Sequence, residues 1–230
     1  MRIDILVPVY IDTWNKGVWE EAQKTVSPDV DLRITNLEFG VPSLESMYDV
    51  AVASPYIVEK AIELEKDGSD GIIIYCMKEP ALAAVKEKLG IPVIGLREAT
   101  MGLIGVVGTH ACILTSHENS YAQYRRELKG LIDKVDCLRM NVLDFADYET
   151  TQRKVEERVA AAVEDGCDII VMGCGSILGL DFKKIEEKYK VSIVRPISCA
   201  ISACEWMVRS GVRKSNLDYP TPDYKDIRVR

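Results

Sequence analysis

Short, largely apolar runs alternate with longer amphipathic segments along the whole chain. Runs that are rich in β-branched residues and apolar at consecutive positions are typical of strands buried on both faces of a parallel sheet. We predict such strands at 3–9, 32–37, 71–75, 91–96, 111–115, 135–142, 168–173 and 191–194, with a weaker apolar run at 104–107. Apolar residues spaced three and four apart predict helices at 47–67, 80–89, 121–132, 150–164, 180–188 and 198–210. Strands and helices that alternate in this way indicate an α/β fold.

The second half of the chain repeats the pattern of the first. Residues 67–76 and 165–174 both begin Asp-Gly-x-Asp, continue into an apolar run and end on cysteine, with no gap between the copies. An amphipathic segment precedes each copy, and another short strand follows it. We infer an internal duplication, and we predict two pseudo-symmetric, doubly wound parallel-sheet domains with the active site in the cleft between them.

The duplication also predicts where the domains divide. We expect the first domain to combine residues 1–98 with 197–230, which carry the last helix and the tail, and the second to comprise 99–196. A chain of 230 residues is long enough for two small domains, each with its own core. Residues 216–230 hold few aliphatic side chains but two tyrosines and two prolines, so we predict an extended arm that lies on this chain or on a neighbour.

Charge and composition exclude several classes of partner. The net charge is −7 and no large cluster of Lys and Arg is present, which argues against nucleic acid and against an anionic membrane surface. The apolar runs are too short to span a bilayer, and the N-terminal run has the character of a first strand instead of a signal peptide. Seven cysteines without a Cys-x-x-Cys pair predict neither a metal site nor a disulfide framework, so we expect reduced thiols in a cytoplasmic protein.

Two of the cysteines, Cys76 and Cys174, end the matched strands 98 residues apart. Ligands of open parallel sheets bind beyond the carboxyl ends of the strands, and each cysteine precedes a predicted helix whose N-terminus would favour a thiolate. Opposed thiols suit the inversion of a stereocentre, because one can remove a proton next to a carbonyl while the other protonates the opposite face. A cysteine can equally be a small buried hydrophobe, and that is our interpretation of Cys112, Cys137, Cys167, Cys199 and Cys204.

Four motifs resemble those of one enzyme family. Residues 76–80, 92–99, 113–116 and 172–176 are similar to motifs of the aspartate/glutamate/hydantoin racemase family, and within it of the hydantoin racemase branch. The resemblance extends from about residue 3 to residue 210. It implies a cofactor-independent racemase or epimerase that acts on a small hydantoin or amino acid type substrate. It also implies that the two matched cysteines are the acid and the base, and that the protein is a homo-oligomer.

The same resemblance implies where the substrate is held. We predict substrate contacts from the loop after the first strand, from a hydroxyl pair and from both cysteine motifs, namely from Tyr10, Met77, Thr115, Ser116, Gly175 and Ser176. The family's first loop usually offers Asn-Pro-Asn, whereas this chain has Val-Pro-Val-Tyr at 7–10. A polar anchor is therefore missing unless Tyr10 or Thr13 replaces it.

Arg97 and Arg195 depart from the resemblance at equivalent places, again 98 residues apart. Both follow a strand on the proposed ligand side of the sheet. They could clamp a carboxylate, in which case the substrate is more acidic than a neutral hydantoin. Alternatively they pair with acids at the seam between the domains, and the sequence leaves both interpretations open.

Other functions remain as alternatives. On the same scaffold, a maleate isomerase type of enzyme would use one cysteine as a nucleophile on a small unsaturated dicarboxylic acid. The related arylmalonate decarboxylases keep only the second cysteine, which argues against them. His110 and His117 offer a competing general base, and Lys78 could lower the pKa of Cys76 or simply face water. A non-catalytic α/β module that binds a small ligand is the alternative from a different class.

Overall fold

Strands and helices alternate one by one along residues 1–223 and 225, which are the residues described by the computed structural model. The strands are β1 (Arg2–Val7), β2 (Asp31–Asn36), β3 (Gly71–Ile74), β4 (Val93–Gly95), β5 (Ala111–Thr115), β6 (Lys134–Cys137), β7 (Ile169–Met172) and β8 (Ser192–Val194). The helices are α1 (Asn15–Ala22), α2 (Met47–Lys66), α3 (Leu82–Lys88), α4 (Leu96–Leu103), α5 (Glu118–Glu127), α6 (Tyr148–Glu164), α7 (Phe182–Tyr189) and α8 (Pro196–Ser210).

The eight strands form two parallel sheets with the same topology. Their orders are β2-β1-β3-β4 and β6-β5-β7-β8. In the first sheet Ile5 lies beside Ile34 and Ile73, and in the second Ile113 lies beside Val135 and Val171. The central strands are buried because helices cover both faces, which is why their sequences are continuously apolar. The prediction of two pseudo-symmetric, doubly wound parallel sheets is confirmed.

The structure also corrects several predicted elements. Helices α1 and α4 have no counterpart among the predicted helices, because each has only eight residues and one of the three side chains that each buries is polar, Glu21 in α1 and Thr100 in α4, which interrupts the apolar pattern. The apolar run at 104–107 forms part of a short 3-10 turn, with Val106 exposed. Strand β6 ends at Cys137 instead of 142. Helix α3 begins at Leu82 instead of Pro80, because Glu79 and Ala81 adopt positive φ angles of 53° and 57°.

Helix α8 returns from the end of the second sheet to the first. It packs against β3, β4, α1 and α4. The division into 1–98 plus 197–230 and 99–196 stays a prediction. In the tail, the Lys86 ammonium of α3 lies 5.1 Å from the centre of the Tyr219 ring, so this part of the predicted arm lies on its own chain. Tyr224 and residues 226–230 lie outside the described residues.

A separate finding concerns membranes. None of the helices within residues 1–223 is both long enough and apolar enough to cross a bilayer.

Candidate active site

A cavity of about 50 Å³ lies between the carboxyl ends of the two sheets. Since one water molecule needs about 10–15 Å³, a space of this size holds a few water molecules. The first sheet and its loops contribute Val7, Pro8, Val9, Trp14, Ser43, Leu44, Tyr75, Cys76, Met77 and Lys78. The second sheet and its loops contribute Ser116, Ser120, Tyr124, Val142, Gly173, Cys174, Gly175 and Ser176. The position agrees with the rule that ligands of parallel sheets bind beyond the strand ends.

Cys76 and Cys174 both line this cavity, and each stands two residues beyond the end of its strand. Burial raises the pKa of Cys76 to about 11, and a negative charge on Cys174 raises it as well. Burial likewise raises the pKa of the Cys174 thiol above its ordinary value. The structure therefore brings the predicted pair of thiols together at one cavity.

The prediction that each thiol faces a helix N-terminus is wrong. Helix α3 begins six residues after Cys76, and α7 begins eight residues after Cys174. Backbone groups of the loops act on the thiols instead. The backbone N–H of Lys78 lowers the pKa of Cys76, and the backbone N–H of Ser176 lowers that of Cys174. These two donors are again 98 residues apart, so the duplication extends to the loop that surrounds each sulfur.

Lys78 reaches from the first half of the molecule into the second. Lys78 is only 7% exposed, and its Nζ donates hydrogen bonds to Ser120 Oγ at 3.0 Å and to Gln123 Oε1 at 2.8 Å. Burial lowers the pKa of this ammonium. Of the two alternatives open from the sequence, a side chain that simply faces water is excluded.

Two tyrosines at the cavity were missed by sequence reasoning. The hydroxyl of Tyr75 donates to the carbonyl of Gly175 at 2.7 Å, and that of Tyr124 donates to the carbonyl of Gly173 at 3.2 Å. They therefore hold the loop on both sides of Cys174. Burial raises the pKa of both phenols well above the usual value, so they stay protonated. Tyr75 could have been noticed as the neighbour of Cys76, whereas nothing in the sequence singles out Tyr124.

Four of the six predicted contact residues line the cavity, and two do not. Met77, Ser116, Gly175 and Ser176 are part of the wall. Tyr10 is not, because the chain turns outward after β1 and leaves this residue 48% exposed. Thr115 is fully buried in the sheet, where its hydroxyl donates to the carbonyl of Asp136. Besides the two tyrosines, the hydroxyl groups of the wall belong to Ser43 and to three serines of the second half, Ser116, Ser120 and Ser176.

The two arginines do not form a clamp at the cavity. Arg97 is bound to Glu79, with 3.1 Å between Nε and Oε2, and to Glu127. Arg195 is bound to Glu21, with 2.8 Å between Nε and Oε1. Arg195 faces a second cavity behind Cys174, which at about 10 Å³ has room for a single water molecule. Glu79 and Glu21 are largely buried, and the arginines stabilise their carboxylates; Lys24 Nζ also pairs with Glu21 Oε2 at 2.6 Å. The structure therefore contains the ion-pair alternative.

The ion pair of Arg195 predicts a loss of stability without a loss of substrate affinity. We expect Arg195→Met to lower the free energy of unfolding by about 1–3 kcal/mol, because the buried Glu21 carboxylate loses a charged partner. Urea unfolding measures the change, and Arg153→Met, which removes an exposed pair with Glu157, is the control expected to change stability by less than about 0.5 kcal/mol. A tenfold rise in KM for Arg195→Met at unchanged stability would contradict this prediction and would favour the interpretation that Arg195 binds a carboxylate of the substrate.

The histidines stand away from the cavity wall. His117 caps α5, with its Nε2 3.0 Å from Glu45 Oε2, and His110 contacts the hydroxyl of Thr109. No carboxylate, imidazole or guanidinium of residues 1–223 belongs to the wall. In the same described part of the chain, no three His, Cys, Asp or Glu side chains are grouped so that they could hold a metal ion.

Comparisons with known proteins identify the family and the fold. Residues 16–204 match the model of a family described as Asp/Glu/Hydantoin racemase. The hydantoin racemase of Pseudomonas sp. (strain NS671) is 24% identical, and the match covers 98% of this chain and 94% of that protein. The allantoin racemase from Klebsiella pneumoniae superposes with a TM-score of 0.92 at 26% identity, over 100% of this chain and 97% of its own. The maleate isomerase Iso from Pseudomonas putida S16 superposes at 0.71 and 14% identity, covering 92% and 93%, which shows a shared fold alone.

Proposed function

Because the chain belongs to the Asp/Glu/Hydantoin racemase family, we propose that it is a cofactor-independent racemase or epimerase of hydantoin-type substrates. Cys76 and Cys174 exchange one proton each with opposite faces of the substrate's stereogenic carbon. The observation that carries the proposal is the pair of thiols at equivalent positions of the two halves, both at one cavity. Racemisation runs equally well in both directions. It therefore needs two acid–base groups of the same kind, one on each side of the substrate carbon.

The proposed step conserves charge and protons. The thiolate of one cysteine takes the proton from the carbon next to the carbonyl, forming an S–H bond as the C–H bond breaks. The electron pair moves onto the carbonyl oxygen and gives an enolate. The thiol of the other cysteine then protonates the opposite face of the carbon and becomes the thiolate. The mirror-image substrate uses the two cysteines in reversed roles.

The other titratable groups of the wall are less suited to this role. The hydroxyls of Tyr75 and Tyr124 donate to backbone carbonyls, and burial holds their pKa values far above neutrality. Lys78 carries one ammonium, which cannot act on two faces of one carbon. The thiols have the lowest ordinary pKa among the neutral acids present, and general acid–base work favours a pKa near the working pH.

The charges of the wall favour a neutral substrate. Both arginines are bound to glutamates, so the ammonium of Lys78 is the only fixed charge among the lining residues of the described chain. A small dicarboxylic acid would bring two negative charges, which argues against a maleate isomerase activity. A free amino acid would bring an ammonium for which the wall holds no carboxylate. A hydantoin ring offers neutral N–H and C=O groups, which match the hydroxyls of Ser43, Ser116 and Ser176.

Hydrogen exchange with heavy water tests this function. We expect the protein, incubated in D2O with one enantiomer of 5-isopropylhydantoin, to abolish the optical rotation and to place one deuterium on the ring carbon. Polarimetry and mass spectrometry measure the two events in one sample, with heat-inactivated protein as the control. The proposal would be contradicted by unchanged rotation and no deuterium across a panel of 5-substituted hydantoins. Isomerisation of maleate without deuterium uptake would equally contradict it and support the nucleophilic alternative.

A further inference from the structure

The ammonium of Lys78 is a buried charge that lacks a charged partner. Its hydrogen bonds go to the neutral acceptors of Ser120 and Gln123, and its Nζ lies 5.8 Å from the centre of the Tyr124 ring. Within residues 1–223 and 225, no carboxylate oxygen lies within 4.0 Å of Nζ. An ammonium removed from water is costly unless an anion compensates it. The cavity wall therefore holds one positive charge that requires a compensating anion.

The acids that face Lys78 from neighbouring elements have other partners. Glu127 on α5 accepts hydrogen bonds from Arg97 and Gln123, and Asp49 on α2 accepts the backbone N–H groups of residues 45 and 46. Their charges raise the pKa of Lys78, but the opposing effect of burial is larger. Burial keeps the phenols of Tyr75 and Tyr124 protonated, so the two thiols are the remaining groups of the wall that can carry a negative charge.

Lys78 acts on both thiols and not only on its neighbour in sequence. Its positive charge lowers the pKa of Cys76, two residues away, and also that of Cys174 in the other half of the molecule. The side chain achieves this because it crosses the seam to reach α5, which brings Nζ to the wall shared by both loops. A single cation is thus placed within electrostatic range of both ends of the proposed proton path.

Counting charges through the reaction shows why one cation suffices. The negative charge starts on one sulfur, passes to the substrate oxygen and ends on the other sulfur, so the cavity carries one anion at every stage. On the basis of the proposed function, we propose that Lys78 is the fixed counter-ion of this travelling charge, a positioning residue shared by Cys76 and Cys174. Only one of the two cysteine loops carries a cation, because Ser176 stands at the position equivalent to Lys78. A second cation at that position would have no anion to compensate it.

Alkylation of the thiols tests the proposal without any substrate. We expect Lys78→Met to slow the reaction of both Cys76 and Cys174 with iodoacetamide by about threefold or more at pH 8. Loss of the cation raises the pKa of each thiol, and a rise of about one pH unit lowers the thiolate fraction about tenfold. The remaining thiolate is more nucleophilic, which partly offsets this loss. Peptide mass spectrometry resolves the two cysteines. Lys16→Met, which removes the same charge from an exposed side chain, is expected to leave both rates unchanged.

The outcomes separate a counter-ion from a merely structural lysine. A loosened site would expose the thiols and speed their alkylation, so faster or unchanged reaction in Lys78→Met overturns the proposal. Slower reaction at Cys76 alone overturns it as well, because the effect would then be confined to the neighbour in sequence. If Lys78→Met does not fold, Lys78→Gln removes the charge but keeps an N–H donor for Ser120, and the same rates decide. The racemase proposal stands or falls separately on the D2O experiment.

Discussion

Cys76→Ser and Cys174→Ser are each expected to lower kcat/KM for racemisation about 10²–10⁴-fold, starting from either enantiomer. A serine hydroxyl has nearly the shape of the thiol but gives up a proton far less readily. Each cysteine is the base for one enantiomer and the acid for the other, so neither direction escapes the loss. Both thiols line the same cavity, and no carboxylate or imidazole of the wall in residues 1–223 could take over.

Polarimetry with each enantiomer of a hydantoin measures this loss. Cys199→Ser is the matched control, because Cys199 is a free and partly exposed thiol that lies outside the cavity wall. We expect this control to keep the activity of the unaltered protein, and circular dichroism to be the same for all three variants. Full activity in either Cys76→Ser or Cys174→Ser would contradict the two-cysteine mechanism, because the replaced thiol could then be neither the acid nor the base.

Gly173→Ala is expected to have the next largest effect, although it alters no polar group. A Cβ at this position would lie 2.7 Å from the carbonyl oxygen of Leu114 and 2.9 Å from the Ile113 side chain. That carbonyl cannot retreat, because it belongs to the central strand β5 and accepts the backbone N–H of Gly173 at 2.8 Å. The strand end must therefore shift and carry Cys174 with it. We expect a loss of about 1–3 kcal/mol in the free energy of unfolding and of about 10²-fold in kcat/KM.

Urea unfolding and kcat/KM, measured on the same preparation, test this expectation. Gly102→Ala is the control, because a Cβ at Gly102 in α4 meets no atom within 4 Å. Alanine is the better helix former, so we expect this control to be as active as the unaltered protein and up to about 1 kcal/mol more stable. A Gly173→Ala variant that matches the control in both measurements would show that the loop before Cys174 tolerates displacement.

The sheets and the pair of thiols could be predicted because local signals specify them. Strands that are buried on both faces of a parallel sheet consist of consecutive apolar residues, so β3 and β7 can be recognised from the sequence. The identical spacing from strand to cysteine then places both thiols at the same edge of equivalent sheets. The family resemblance adds the expected reaction, which the geometry alone would leave open between proton transfer and nucleophilic addition.

The wall of the cavity could not be predicted, since contacts between distant segments decide it. Lys78 is buried because α5 lies over it, and its acceptors Ser120 and Gln123 are 42 and 45 residues away in sequence. Arg195 pairs with Glu21 on α1, a helix of eight residues that is far from it in sequence. Of the two interpretations that the sequence leaves open for the arginines, the structure contains the ion pairs, which favours a neutral ring over an acidic compound as substrate.

One-sided hydrogen exchange in the single-cysteine variants tests the central claim most directly. Each enantiomer of a hydantoin is incubated in D2O with Cys76→Ser or with Cys174→Ser, and deuterium at the ring carbon is measured together with optical rotation. A cysteine on each face predicts that each variant exchanges only one enantiomer, of opposite hand for the two variants, and that the rotation persists. Exchange of the same enantiomer by both variants, or loss of rotation in either as fast as its deuterium uptake, would contradict a mechanism in which Cys76 and Cys174 face one carbon from opposite sides.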